Sequence, residues 1–365
     1  MHRIIKSLLI TAALVAAGTA TAQTKIAFGG AMPTNEANSR ANVQFFKRVE
    51  TQTNGQLKFD ASFDGQVVNY RSTLGSIKDG LVDAGQLFPA FFFSELKTLS
   101  LFLQLGPQPL DPWSGAAAMN EMVLLNCPEC DAELSRYKIK GLSFSGSAPF
   151  YTILRNPIND IGELKGKLIR GIGPSQVFIQ QLGANPAATA PSEIFEAMQR
   201  GQIEGAIAGV DWLKQYGLAD VAKFVVEQPT GHDFAGRMPF VASTELWKKL
   251  SAEQKQVISR NLPFLVAEAT ANSVADGQEA RRFAESKGVK FSPVRGYSDK
   301  VAAFRSAEIE RIVSSYKKQG VERADVLVKT YLEKLAKWEK IVAETKGDRK
   351  AYEEALWSEI FSKLK

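Results

Sequence analysis

Apolar and polar positions along this chain follow two alternating rhythms. Lys25 to Phe28 reads as a short strand ending at Gly29-Gly30. From Asn38 to Thr53 the apolar positions return at helical spacing, with Val43, Phe46 and Val49 expected along one face. Asn54-Gly55 marks a turn. Leu57 to Ala61 alternates with the period of two that suits a half-buried strand. A second helix is expected over Tyr70 to Asp79, closed by Gly80, and Val82 to Leu87 is the next strand. Strand, helix, strand, helix, strand in this order predicts a parallel sheet with helices on its faces.

A helical run from Ala116 to Leu125 comes before the pattern resumes. Gly141 to Phe144, Tyr151 to Leu154 and Lys167 to Ile169 read as strands. Ser175 to Leu182 reads as a helix ended by Gly183. Ser192 is placed to cap a helix over Glu193 to Arg200, with Gly201 beyond its end. Ile203 to Ala208 is a further strand. Two α/β blocks of similar size predict two lobes. From Leu250 onward the pattern is helical. Ser251-Ala252-Glu253-Gln254 is a capping box, and Pro263 suits the first turn of a new helix. Phe264 to Lys287 predicts one long helix, and Val301 to Gln319, Asp325 to Ala343 and Arg349 to Leu364 supply further amphipathic helices.

Length and charge narrow the picture. The chain has 365 residues, enough for about two domains with full cores. Its formal charge is +6, but the basic residues are scattered, and no basic stripe with interleaved aromatics argues for nucleic acid. Met1 to Lys6 is positive, Ser7 to Ala17 is almost wholly apolar, and Gly18 to Ala22 ends in a small-x-small pattern. This predicts a signal peptide cleaved after Ala22 and a periplasmic protein. The apolar run is too short for a membrane anchor, and no later segment is long and apolar enough to span a bilayer.

Candidate chemistry is sparse. The cysteines are Cys127 and Cys130, in C-P-E-C after the helical run. In an oxidising compartment a local disulfide is one reading; free thiols and a C-x-x-C redox site are the others. Metal is not expected, because beyond the leader the chain has a single histidine, His232, and no second ligand pair. There is no G-x-S-x-G, no H-E-x-x-H and no phosphate loop. Carboxylates such as Asp211 would have to do any acid–base work, and nothing marks a paired set. Neither an enzyme nor a cofactor is expected. The stretch L-K-G-K-L-I-R-G-I-G, Leu164 to Gly173, instead puts Arg170 at the end of an apolar strand before a glycine-rich bend. A buried guanidinium there needs a partner, either a local acid such as Glu193 or a ligand.

Three stretches carry a resemblance: ELKGKLIR, LGANPAATAPSEIFEAMQRGQIEGA and VETQTNGQLKFDASFDGQ. Together, and in the order in which they run along the chain, with the last of these first, they resemble signatures of the DctP-type solute-binding proteins of TRAP (tripartite ATP-independent periplasmic) transporters. Glu163, Phe195, Met198 and Glu204 stand where that pattern usually has Asp, Tyr, Leu and Asp. The resemblance implies a two-lobed α/β periplasmic binding protein fold, its lobes joined by hinge strands and a long helix, with a helical C-terminus. Lobe I is expected over 23–147 and 236–275, lobe II over 148–235 and 276–365, after a leader over 1–22. The implied function is capture of a small-molecule carboxylate in the interlobe cleft and delivery to integral-membrane permease subunits. A receptor of ABC or tricarboxylate type is an alternative, and a redox protein using Cys127 and Cys130 a more distant one.

By the same resemblance Arg170 holds the ligand carboxylate through the planar fork of its guanidinium. Gly171 and Gly173 let the backbone approach. A second arginine of the family falls, by gap-free counting, at Phe150, followed by Tyr151. The loop after Ala206 offers Asp211 and Trp212, with Trp212 equally readable as core. Phe88 follows a strand end of the first lobe, in an aromatic run that also suits packing. Gly231-His232 resembles a lobe crossing. With one arginine kept and aromatic residues around it, a monocarboxylate with an apolar or aromatic body is expected, against a C4-dicarboxylate or sugar acid.

Overall fold

The structure, a computed structural model, describes residues 23–105, 111–189, 193–232 and 236–364. Met1–Ala22, Ser192 and the side chain of His232 lie outside the described residues, and with them the expected leader, its cleavage point and the expected cap at Ser192.

The opening order is the expected one: β1 (Thr24–Gly29), α1 (Ala37–Gln52), β2 (Leu57–Ser62), α2 (Thr73–Lys78), β3 (Ala84–Leu87). β1 is parallel to both β2 and β3. Helices α3 (Lys97–Gln104), α4 (Pro112–Leu125) and α5 (Pro128–Arg136) precede β4 (Ile139–Gly141). The chain then enters a second sheet through β5 (Pro149–Leu154), β6 (Leu168–Arg170), α6 (Pro174–Gln181), β7 (Asn185–Ala187), α7 (Ile194–Gln199), β8 (Gly205–Gly209), α8 (Trp212–Gln215), β9 (Phe224–Val226) and β10 (Gly231–His232). It returns as β11 (Met238–Ser243), which inserts antiparallel between β3 and β4. After α9 (Thr244–Lys249) and α10 (Ala252–Ser286), β12 (Lys290–Ser292) goes back to the edge of the second sheet beside β9. Helices α11 (Tyr297–Lys318), α12 (Ala324–Thr345) and α13 (Arg349–Glu359) follow. The sheet orders are β2-β1-β3-β11-β4 and β12-β9-β5-β8-β6-β7, so each sheet takes a strand from beyond the other.

Local differences from the pattern have physical causes. On α1 the buried apolar face is Ala41, Phe45, Phe46 and Val49, and Val43 is 48% exposed. The buried stripe also carries Asn42, whose amide donates to Pro239 O at 3.0 Å, so hydropathy alone misplaced the face. Helix α2 starts at Thr73 because the Asn69 side chain accepts from Arg71 N and Ser72 N at 2.9 and 3.0 Å, an Asx turn that leaves Tyr70 outside the helix. The strand expected over Gly141–Phe144 is β4, ending at Gly141.

The capping box at Ser251 and Gln254 is formed, but Pro263 starts no helix. It lies inside α10, 35 residues long. An interior proline costs about 3 kcal/mol. Ile258, Leu262, Leu265 and Val266 around it are buried in the first core, each contributing about 1.5–3 kcal/mol, so packing outweighs the break.

The C-terminal helices differ in place from the expectation that put 276–365 with lobe II. Leu327, Tyr331, Trp338, Leu356 and Phe361 join the same core cluster as β1 and α1. The buried Glu121 carboxylate of α4 draws them there, accepting from Lys334 and Lys337 at 2.7 and 2.9 Å and from Trp338 Nε1 at 2.7 Å. Helix α11 links both halves: Tyr297, Val301 and Phe304 pack under the second sheet, Ile312 and Tyr316 in the first core. A disulfide joins Cys127 to Cys130 across the first turn of α5, both buried in that core. Among the described residues no helix is long and apolar enough to cross a membrane.

Candidate functional site

A cavity of about 810 Å³ lies between the two sheets, within the size range of small-molecule sites. Strand ends and the loops after them supply its walls. From the first half come Met32, Glu36, Tyr70, Arg71 and Phe88; from the second, Phe150, Arg170, Ile172, Asp211, Trp212 and Tyr216; Gly236 and Arg237 enter just before β11.

Arg170 ends β6, parallel to β7 and β8, where ligands of open α/β sheets collect. Its residue is 1% exposed. Nε donates to Thr189 O at 3.0 Å and Nη1 to Ile207 O at 3.3 Å. The guanidinium centre stands 5.2 Å from the centroid of the Trp212 ring. Backbone carbonyls and an aromatic face thus aim this group while its charge borders the cavity. Trp212 is edge-on to Phe150 at 6.1 Å and to Tyr216 at 5.0 Å. Phe150 faces the cavity because successive strand side chains alternate. Tyr151 therefore points the other way, edge-on to Phe291, and does not line the cavity.

Asp211 is buried beside α8 and lines the cavity. A Cβ on Gly209 would lie 2.2 Å from its Oδ1, so only glycine there leaves the carboxylate its place. Gly173 is not in the wall. Its φ of 53° sets the bend into α6, and Ile172 reaches the cavity instead. Phe88 lies in the opposite wall, edge-on to Tyr70 at 5.3 Å, and Tyr70 stacks on Phe91 at 5.0 Å.

Sequence reasoning missed Glu36, Arg237, Tyr70 and Tyr216. Glu36 caps α1, accepting from Asn38 N at 2.8 Å, and glutamate is not a cap that propensity selects. Arg237 precedes a strand whose apolar run carries no alternation. It lies 3.4 Å from Glu36, both side chains buried. Burial pushes the Tyr70 phenol well above its ordinary range, with the facing Tyr216 adding to the effect and Arg237 opposing it. Burial likewise raises Tyr216, which feels Arg237 and Asp211 next, then Glu36 and Arg170. Both phenols stay protonated donors at neutral pH. Among the described residues, the charged ones in the lining are Arg71, Arg170 and Arg237 against Glu36 and Asp211, an excess of one positive charge. The disulfide is not in the wall. Among the described residues no group of histidine, cysteine and acidic side chains is arranged to hold a metal ion.

Residues 28–319 match the family model DctP, bacterial extracellular solute-binding protein, family 7. A solute-binding protein of Sulfitobacter sp. (strain NAS-14.1) is 26% identical over 262 residues, spanning 68% of this chain and 76% of the relative. A TRAP solute binding protein of Rhodoferax ferrireducens, solved with copurified benzoate, superposes with a TM-score of 0.74 at 17% identity, covering 88% of this chain and all of the other. A TRAP periplasmic protein of Chromohalobacter salexigens with bound D-glucuronate gives 0.70 at 18% identity, covering 85% and 99%.

Proposed function

The chain belongs to the DctP family, family 7 of the bacterial extracellular solute-binding proteins, and on that premise we propose that it captures an organic monocarboxylate and hands it to a TRAP-type membrane permease. It is a receptor, not an enzyme. In this reading the ligand carboxylate meets Arg170, and its apolar or aromatic body lies among Phe88, Phe150 and Trp212. Asp211 borders the carboxylate end and accepts from any donor there. Gly173 acts through the bend that presents Ile172, and Tyr151 through the back of the strand.

One observation carries this reading. Arg170 is pre-aimed by two carbonyls and a tryptophan face at a largely aromatic cavity whose described lining residues have one excess positive charge. A monoanion balances that charge. A dianion leaves one charge buried without a partner, which is expensive. The benzoate found with the Rhodoferax protein is a monocarboxylate with an aromatic body, and the glucuronate with the Chromohalobacter protein is a sugar acid, the alternative to it.

We place the hinges at the expected crossings near 147–148, 235–236 and 275–276, with the helices after α11 assigned to lobe I. Export through residues 1–22, with cleavage after Ala22, completes the reading. A thermal-shift panel of benzoate-like acids, branched 2-oxo acids, succinate, malate and glucuronate tests it. A ligand at a hundred times its dissociation constant adds about 2.7 kcal/mol of stability. Stabilisation by a monocarboxylate is expected. A response to succinate or malate alone would remove the monocarboxylate reading.

A further inference from the structure

Arg71 stands apart from the other arginines of the cavity wall. Arg170 is pinned by two carbonyls and a ring, and Arg237 is buried beside Glu36. Arg71 is exposed, and among the described residues its guanidinium makes neither a hydrogen bond nor an ion pair. Its centre stands 5.7 Å from the centroid of the Phe91 ring, a contact that leaves every N–H donor unused. The backbone beneath it is fixed. Arg71 N donates to Asn69 Oδ1 at 2.9 Å. Tyr70 stacks on Phe91, meets Phe88 edge-on and donates its hydroxyl to Met32 Sδ. An anchored segment of the first half thus offers the cavity a long cation without an anion of its own.

We propose that Arg71 is the second cation for the ligand carboxylate, supplied by the wall opposite Arg170, and that it ties closure of the cleft to the ligand's charge. An anion draws the walls together, and an uncharged molecule of the same shape does not. This rests on the reading that Arg170 holds the ligand carboxylate. Phe150 stands where the family resemblance places a second arginine, so the second cation comes from the other half of the molecule. A carboxylate offers about four acceptor directions, and the fork of Arg170 takes only two of them. The facing wall carries Ile172 and Tyr216, each 36% exposed. Tyr216 ends α8, whose Trp212 ring lies by Arg170, and it already faces Tyr70 across the gap. Bringing this wall onto the first covers Arg71 and strips its water. Desolvating a cation without a partner is costly, so Arg71 opposes closure of an empty cleft. A carboxylate inside removes that penalty.

Benzoate and benzamide differ in charge and hardly in shape, and together they form the test. Each is titrated calorimetrically into the wild type, Arg71→Gln and Arg71→Lys, and solution scattering follows the radius of gyration. In the wild type only benzoate should contract the protein. Arg71→Gln should weaken benzoate about tenfold, between the few-fold worth of an exposed ion pair and the roughly thirtyfold or more of a buried one. With the opposing cation gone, benzamide should now contract it. Arg71→Lys keeps the charge and should stay within about threefold of wild type for benzoate, which separates charge from packing on Phe91. An Arg71→Gln protein with wild-type melting temperature and unchanged benzoate affinity overturns the proposal. So does an Arg71→Lys protein as weak as Arg71→Gln, or a wild type that benzamide contracts as benzoate does. Failure of benzoate to bind the wild type, or benzoate binding indifferent to Arg170→Ala, overturns the underlying reading of the site instead.

Discussion

Truncating Arg170 separates what this side chain does for the fold from what it does for the ligand. Arg170→Ala removes the donors to Thr189 O and Ile207 O. A carbonyl left unsatisfied in a dry interior costs about 1–3 kcal/mol. Thr189 lines a cavity of about 810 Å³, and water entering the vacated space satisfies the two carbonyls in part. The expected loss of stability is therefore about 1–2 kcal/mol for the pair. Binding should suffer more. Removing one partner of a buried charge pair costs about 2–5 kcal/mol, which is roughly thirtyfold to several thousandfold in affinity. Arg170→Lys keeps the charge but loses the fork and the flat face against Trp212, so it should fall between. Urea unfolding gives the first quantity, and calorimetric titration of a stabilising acid from the thermal-shift panel gives the second. A folded Arg170→Ala protein that binds within about threefold of wild type would refute the assignment of Arg170 as the carboxylate anchor.

Three further outcomes are expected. Two lobes joined by the crossings and by α10 should close on the ligand, so solution scattering should show a smaller radius of gyration at saturation; an identical radius in both states counts against closure. Cys127 and Cys130 should be oxidised in periplasmic protein by mass spectrometry, and the double serine variant should bind normally while losing no more than about 2 kcal/mol, because the closed loop is short; a binding defect would tie the disulfide to the site. Burial pushes the Glu121 carboxyl up, but hydrogen bonds from Lys334, Lys337 and Trp338 outweigh it and hold it below its ordinary 4.5. Its stabilisation is then present above that value and lost as pH falls through the lower folded one. Glu121→Gln should flatten the acid limb of a urea-midpoint profile as pH falls below 4.5, and an unchanged limb would remove Glu121 from it.

Much of the scaffold could be read from local pattern, because helices such as α1 bury one face and inner strands such as β3 and β8 are short runs buried on both. The capping box at Ser251 and the strand that carries Arg170 are of this kind. What escaped depends on contacts far apart in sequence. Pro263 inside α10 and the return of α12 and α13 to the first core follow from packing against α1 and α4, which no local window contains. In the cavity, Phe88, Asp211 and Trp212 were reachable because each follows a strand, and Phe150, near the start of β5, by counting back from Arg170. Tyr151 was carried along as a neighbour and alternation sends it to the other face. Glu36 and Arg237 lie 201 residues apart, and only the fold makes them a pair.

The most direct measurement is a crystal structure of the complex with benzoate or the tightest acid of the panel. The account predicts the ligand between the two sheets, its carboxylate within about 3 Å of the Arg170 guanidinium nitrogens, and its body against Trp212, Phe150 and Phe88. A carboxylate seated on Arg237 instead, with Arg170 out of hydrogen-bond reach of it, or a ligand outside the cavity, would contradict it.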